Sequence, residues 1–297
     1  MVELGAIFPQ TEISPDPGAV RGFVQGLEDL GYDHMFIADH VLGADPAHHE
    51  HPSLARYSHR SVIHEPLTLL AYVAAITTRI KLATGILILP QRQTALVAKQ
   101  AAEIDVLSQG RMRLGIGVGW NAVEYEALGQ DFHNRGRRSS EQIEVLRALW
   151  TQEVVTFRGQ WHQISHAGIN PLPLQRPIPI WLGVGSSVAL RPPEAALRRV
   201  ARLADGWCPN IPLNEVGREV VDQVHQYARE AGRDPAMLPL EGRVHIAGKN
   251  EDAWAKDVRA WRDLGASSII VEARGGGLDF PDQHLSAMQR FKDVLEG

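Results

Sequence analysis

The sequence predicts a (β/α)8 barrel, and three observations predict it. Short apolar, β-branched runs alternate with longer segments of helical spacing eight times along 297 residues. The strand-like runs are continuously apolar, as in a parallel sheet buried on both faces. The length suits a barrel of about 250 residues carrying insertions. A doubly wound open sheet has the same alternation and is the structural alternative.

The first strand is expected over 4–8 (LGAIF), followed by a helix over 19–30. The second pair is HMFIA at 34–38 with a helix over 67–77. The third is the strongly β-forming run 80–89 (IKLATGILIL) with a helix over 96–107, and the fourth is 112–118 (MRLGIGV) with a helix over 142–150. Strands at 178–184, 206–209, 240–247 and 268–272 complete the set, 206–209 being the weakest, with helices at 194–204, 216–231, 252–264 and 282–295. Two connections exceed ordinary loop length, 39–65 after the second strand and 151–177 after the fourth pattern. Alternating residues on either side of Arg158, Gly159 and Gln160 predict a small hairpin in the second, ahead of the proline-stiffened PLPLQRPIP. Both read as insertions into one domain spanning 1–297.

Composition narrows the partners. Thirty basic residues against thirty-five acidic ones give a net charge of -5, without the positive field that phosphate-backbone binding requires, so no nucleic-acid partner is expected. No apolar run approaches the roughly 20 residues of a membrane span. Cys208 is the sole cysteine, and the chain begins directly on a strand-like run, MVELGAIF. A cytoplasmic protein acting on a small molecule is the expectation.

Among candidate sites, AHHEH holds His48, His49 and His51 but lacks the helical HExxH arrangement of a zinc site. It reads as a solvated loop with no metal. Asp39 and His40 close the second strand, on the face where barrel active sites are built; a histidine there can exchange a proton near neutral pH beside an orienting carboxylate. Gly85 interrupts the third strand, marking a bulge or a close approach of ligand to backbone. Gly117, Gly119, Trp120 and Asn121 follow the fourth strand in GVGWNA, a formal GxGxxA lacking the surrounding dinucleotide-binding unit. WLGVGSS places Gly183, Gly185, Ser186 and Ser187 after the fifth, a composition suited to a phosphate turn. Arg135, Arg137 and Arg138 in HNRGRR suit a phosphate or carboxylate tail, or a solvated basic turn. No GxSxG elbow is present.

Four stretches together, LGYDHMFIADH (30–40), the long block from TRIKLATGILILP to EVLRALW (78–150), PIPIWLGVGSS (177–187) and LADGWCP (203–209), resemble the luciferase-like monooxygenase superfamily. The likeness points within it to the oxidoreductases that use the deazaflavin coenzyme F-420. It implies a bacterial luciferase-like barrel, a homodimer, and a flavin-like ring at the C-terminal strand ends. It also implies a bulge with a non-prolyl cis peptide at Thr84, Gly85 and Ile86, backing the ring. By the same resemblance Asp39 and His40 meet coenzyme and substrate, Gly117, Gly119, Trp120 and Asn121 border the ring or tail, and Gly183, Gly185, Ser186 and Ser187 form the phosphate turn. Arg135, Arg137 and Arg138 are assigned to the acidic tail on charge alone. The expected activity is hydride transfer between coenzyme F-420 and a small organic substrate, with His40 handling the proton. An FMN-dependent monooxygenase on the same barrel, a non-catalytic flavin-binding protein and a metal-dependent hydrolase are the competing readings.

Overall fold

Eight strands close on one another in a computed structural model that describes residues 2–296 apart from Ile13, Pro15, Arg56, Ser187, Val188, Leu190, Asp279 and Phe280. The first half of the chain runs β1 (Glu3–Ile7), α1 (Pro17–Asp29), β2 (His34–Ile37), α2 (Pro66–Ile76), β3 (Lys81–Thr84), β4 (Leu87–Ile88), α3 (Thr94–Leu107), β5 (Met112–Gly117), α4 (Ala122–Ala127) and α5 (Arg135–Thr151). The second half runs β6 (Val155–Arg158), β7 (Gln163–Ala167), β8 (Ile180–Gly185), α6 (Glu194–Leu203), β9 (Gly206–Asn210), α7 (Glu215–Glu230), β10 (Leu240–His245), α8 (Glu251–Asp263), β11 (Ala266–Glu272) and α9 (Asp282–Glu296). The parallel order β1-β2-β3-β5-β8-β9-β10-β11 returns to β1 through the β1–β11 pairing, which removes the open-sheet alternative.

Local chemistry sets the helix starts. Asp16 accepts the Ala19 amide with Pro17 in the first turn, Glu65 does the same for Thr68 ahead of Pro66, and Asn250 caps α8 through Ala253. The third strand departs from the expected unbroken run. It breaks between β3 and β4 at a cis Gly85–Ile86 peptide, and β4 then pairs with β5 alone. The fourth helix also departs from expectation: it begins at Arg135, because residues 135–138 of the HNRGRR stretch form its first turn, directly after a short 3-10 turn at Phe132–Asn134. Short α4 lies where only a glycine-rich turn was expected.

The large apolar cluster lies between strands and helices, and a much smaller one (Ile7, Phe36, Ala83 and Ile270) fills the barrel interior. The N-terminal end of that interior is closed by polar groups. The Arg113 guanidinium sits 4.6 Å from the Phe36 ring centroid and 4.2 Å from that of Trp181, and its Nη2 donates to both Glu241 oxygens at 2.9 and 2.8 Å. Ser268 donates to the same carboxylate. Gly206 is required here, since a Cβ on it would stand 2.4 Å from the Trp181 ring. Desolvation offsets most of the Coulombic gain of a buried ion pair of this kind.

The β6–β7 hairpin forms around Gly159, as the alternation predicts, and packs outside the barrel. Glu141 of α5 accepts the amides of Gln160, Trp161 and His162 at 2.7, 2.8 and 2.8 Å and meets His162 Nδ1 at 2.7 Å, while His162 Nε2 lies 2.6 Å from the Thr94 hydroxyl. Burial acts to raise the Glu141 carboxyl, but these donors outweigh it and hold the group below its ordinary 4.5. A carboxylate depressed in the folded state contributes stability above its unfolded value, lost as pH falls through the folded one. Amide exchange at Gln160, Trp161 and His162 is therefore expected to accelerate, relative to barrel amides, only as pH drops below about 4.5. A flat protection profile through that window would remove Glu141 as the anchor.

Candidate active site

A cavity of about 510 Å³ opens at the C-terminal ends of the strands. Its apolar floor and wall come from Ile7, Ile86, Ile88, Ile116 and Leu182. Ile86, set just past the cis peptide, needs the two glycines opposite: a Cβ on Gly117 would stand 2.4 Å from its Cδ1, and one on Gly183 2.8 Å from its Cγ2. These glycines therefore clear space for an isoleucine side chain that borders the cavity, a more specific role than a generic loop turn. Gly185, at φ 93, turns the chain at the end of β8.

His40 lines the cavity with its side chain 8% exposed, and its Nδ1 lies 2.9 Å from Oε2 of Glu124, which is wholly buried. The other Glu124 oxygen accepts the Val41 amide at 2.6 Å and the Leu42 amide at 3.4 Å. Glu124 thus fixes both the imidazole and the chain leaving it, so that proton exchange with a ligand falls to Nε2. The ring is flanked by Tyr57 at 4.8 Å and Trp120 at 5.6 Å between centroids, and His51 stacks on Trp120 at 4.4 Å. Among the described residues no group of three or more His, Cys, Asp or Glu side chains could hold a metal ion.

Asp39 is spoken for differently. Its Oδ1 accepts Arg92 Nη2 at 2.6 Å, and its Oδ2 accepts Arg92 Nε at 3.1 Å and the Ile88 amide at 2.9 Å. Arg92 also donates to Glu65 at 2.9 Å. Asp39 lines the cavity, as its place at the strand end leads one to expect, and its carboxylate also ties the end of β2 to β4 across the bulge. Burial pushes it above its ordinary value, with Arg92 and the Ile88 amide offsetting part of that.

The opposite wall is basic. Arg135 and Ser139 from α5, and Arg199 from α6, face the cavity beside Gly183, Gly185 and Ser186. Burial, then repulsion from Arg202 and Arg135, lowers the Arg199 guanidinium. Ser139 is 1% exposed, and its hydroxyl has no hydrogen-bond partner within the described protein. Asn134, at the start of α5, makes no side-chain cap bond. A half-buried pair of cations beside a spare buried hydroxyl is the chemistry of an anion site.

Of the other residues singled out by sequence, Thr84 spends its hydroxyl on the Gly115 carbonyl at 2.7 Å, and Asn121 caps α4 through the Val123 amide; neither lines the cavity. Arg137 and Arg138 also lie outside the lining, Arg137 being 5.9 Å from the Trp161 ring. Ser187 lies outside the described residues. Sequence reasoning missed Glu124, Arg199, Ser139, Tyr57, Arg243 and Arg274. Only Glu124 left a trace, because Asn121-x-x-Glu124 has capping-box spacing; the glutamate turns instead to His40 and the 41–42 amides.

The sequence profile of luciferase-like monooxygenases matches residues 4–293. The chain belongs to the luciferase-like monooxygenase family. Within this family the chain is 32% identical over 255 residues to an uncharacterised protein of Mycobacterium tuberculosis, covering 84% of this chain and 83% of that one. It is 37% identical over 211 residues to the FMNH2-dependent dimethylsulfone monooxygenase of Pseudomonas fluorescens, covering 70% of this chain and 52% of that enzyme. In fold it is similar to the coenzyme F420-dependent tetrahydromethanopterin reductase of Methanopyrus kandleri, with a TM-score of 0.75, 16% identity and 99% of each chain covered. The likeness thus reaches an FMNH2-dependent enzyme in sequence and an F420-dependent one in fold. No helix among the described residues is long and apolar enough to cross a membrane.

Proposed function

We propose that this luciferase-like protein transfers a hydride between coenzyme F-420 and a small organic substrate. The observation that carries the reading is the basic wall: Arg135 and Arg199 face the cavity with no acidic side chain among its described lining on their side, beside the unpartnered Ser139 hydroxyl. Two guanidinia suit the phosphate and acidic tail of that coenzyme. Gly85 and Ile86 would hold the ring, while Ser139, Ser186, Arg135 and Arg199 would hold phosphate and tail. Bound there, the deazaflavin supplies a hydride carrier that reacts poorly with oxygen. The chain's own task is then to orient the substrate, exclude water, and move one proton at His40 Nε2, with Glu124 steadying the imidazole through Nδ1.

A second reading, an FMN-dependent monooxygenase, is favoured by the likeness to the dimethylsulfone enzyme over 70% of this chain. Titration of the purified protein with each coenzyme separates the two. F-420 is expected to bind at least about tenfold more tightly than FMN, and Arg199→Ala to weaken F-420 by about tenfold or more, the loss of a charge-assisted bond. Micromolar FMN binding with no F-420 binding would install the second reading.

A further inference from the structure

A second basic group stands at the cavity on the ends of β10 and β11, separated from β8 by β9, and no step above uses it. Arg243, Arg274 and Tyr57 all line the cavity. Arg274 donates to the Tyr57 hydroxyl and to Glu272 Oε1. Arg243 lies farther from every acceptor: its Nη1 is 4.0 Å from Glu272 Oε2, its Nη2 is 3.9 Å from the Cys208 sulfur, and its Nε has no partner among the described residues.

The charges here do not balance. Two guanidinia, with His245 Nδ1 3.1 Å from Glu272 Oε2, gather about the single carboxylate of Glu272. Burial tends to raise that carboxyl, but Arg274, Arg243 and His245 outweigh it, so Glu272 stays ionised. Burial pushes the Cys208 thiol up, which keeps it neutral and unable to serve as the missing anion. The deeper pair, Arg113 with Glu241, is already matched. One guanidinium, that of Arg243, is therefore left facing the cavity with no ionic partner within hydrogen-bond distance. Tyr57 joins this group to the chemistry, because the ring bonded through its hydroxyl to Arg274 also packs 4.8 Å from the His40 imidazole.

We propose that Arg243, steadied by the Glu272–Arg274–Tyr57 chain, binds a carboxylate of the substrate, so that the enzyme acts on a small monoanionic organic acid whose reacting carbon lies toward His40. The proposal deepens the hydride-transfer reading and rests on its placing the coenzyme tail at Arg135 and Arg199, leaving the β10–β11 group for substrate.

Calorimetric titration with benzoate and its neutral isostere benzamide tests this, on the protein alone and on protein saturated with F-420 or FMN. Benzoate is expected to bind at least about tenfold more tightly than benzamide in one of these states. Arg243→Met is expected to abolish that preference without changing the coenzyme Kd, and Arg243→Lys to restore part of it by keeping the charge without the fork. Thermal unfolding of both variants checks that they fold. Equal affinity for the two probes in every state, no binding of either, or a preference unchanged in a folded Arg243→Met protein overturns the assignment. A coenzyme Kd that rises in Arg243→Met while the benzoate preference persists overturns it too, by giving Arg243 to the coenzyme. Failure of F-420 to bind wild-type protein, with the benzoate preference intact, rejects the coenzyme reading and leaves the anion site standing.

Discussion

Replacing His40 with alanine is expected to lower kcat by about 10²–10⁴, the contribution of a positioned acid-base group, while leaving the coenzyme Kd unchanged. The reason is geometric. The imidazole borders the cavity, is held at Nδ1 by a wholly buried carboxylate, and has one nitrogen left to serve a ligand. Glu124→Gln is expected to cost less than His40→Ala but to act on the same step, since the amide can still hold Nδ1 and the Val41 amide. Steady-state kinetics with a turned-over substrate, together with coenzyme titration, provide the check. Full turnover by His40→Ala would leave the histidine as mere cavity wall.

The second large effect is on stability. Asp39→Ala is expected to destabilise the protein by about 3 kcal/mol, the lower end for breaking a buried ion pair, because Arg92 keeps Glu65. For a chain of this size that lowers Tm by roughly 5 °C. Asp39→Asn should cost less, since its amide oxygen still accepts the Ile88 amide that joins β2 to β4. Urea unfolding measures both. An Asp39→Ala protein as stable as the wild type but inactive would return Asp39 to the chemistry and take it out of the scaffold.

The contrast between these adjacent residues shows what the sequence made legible. Periodicity found all eight barrel strands, including weak 206–209, because a parallel strand buried on both faces must be apolar along its length. The same logic placed Asp39 and His40 at a strand end and Gly85 at an irregularity. It could not divide labour between them, because that depends on Arg92 and Glu124, which lie 53 and 84 residues from their respective partners. Arg199, Arg243 and Arg274 were invisible for a related reason. An arginine on a helix, strand or turn reads as solvated unless the fold brings it inward, and α6, β10 and the turn after β11 bring these to one cavity. The HNRGRR stretch erred the other way: clustering drew attention to Arg137 and Arg138, whereas helical geometry sends only Arg135 of that run to the cavity, with Ser139 one turn on.

The plug of Arg113, Phe36, Trp181 and Glu241 at the base of the barrel has a kinetic consequence. It closes the barrel interior at its N-terminal end, so a ligand reaches the cavity from the C-terminal ends of the strands. If coenzyme and substrate seat one above the other there, their binding is expected to be ordered, and product-inhibition patterns in steady-state kinetics test it.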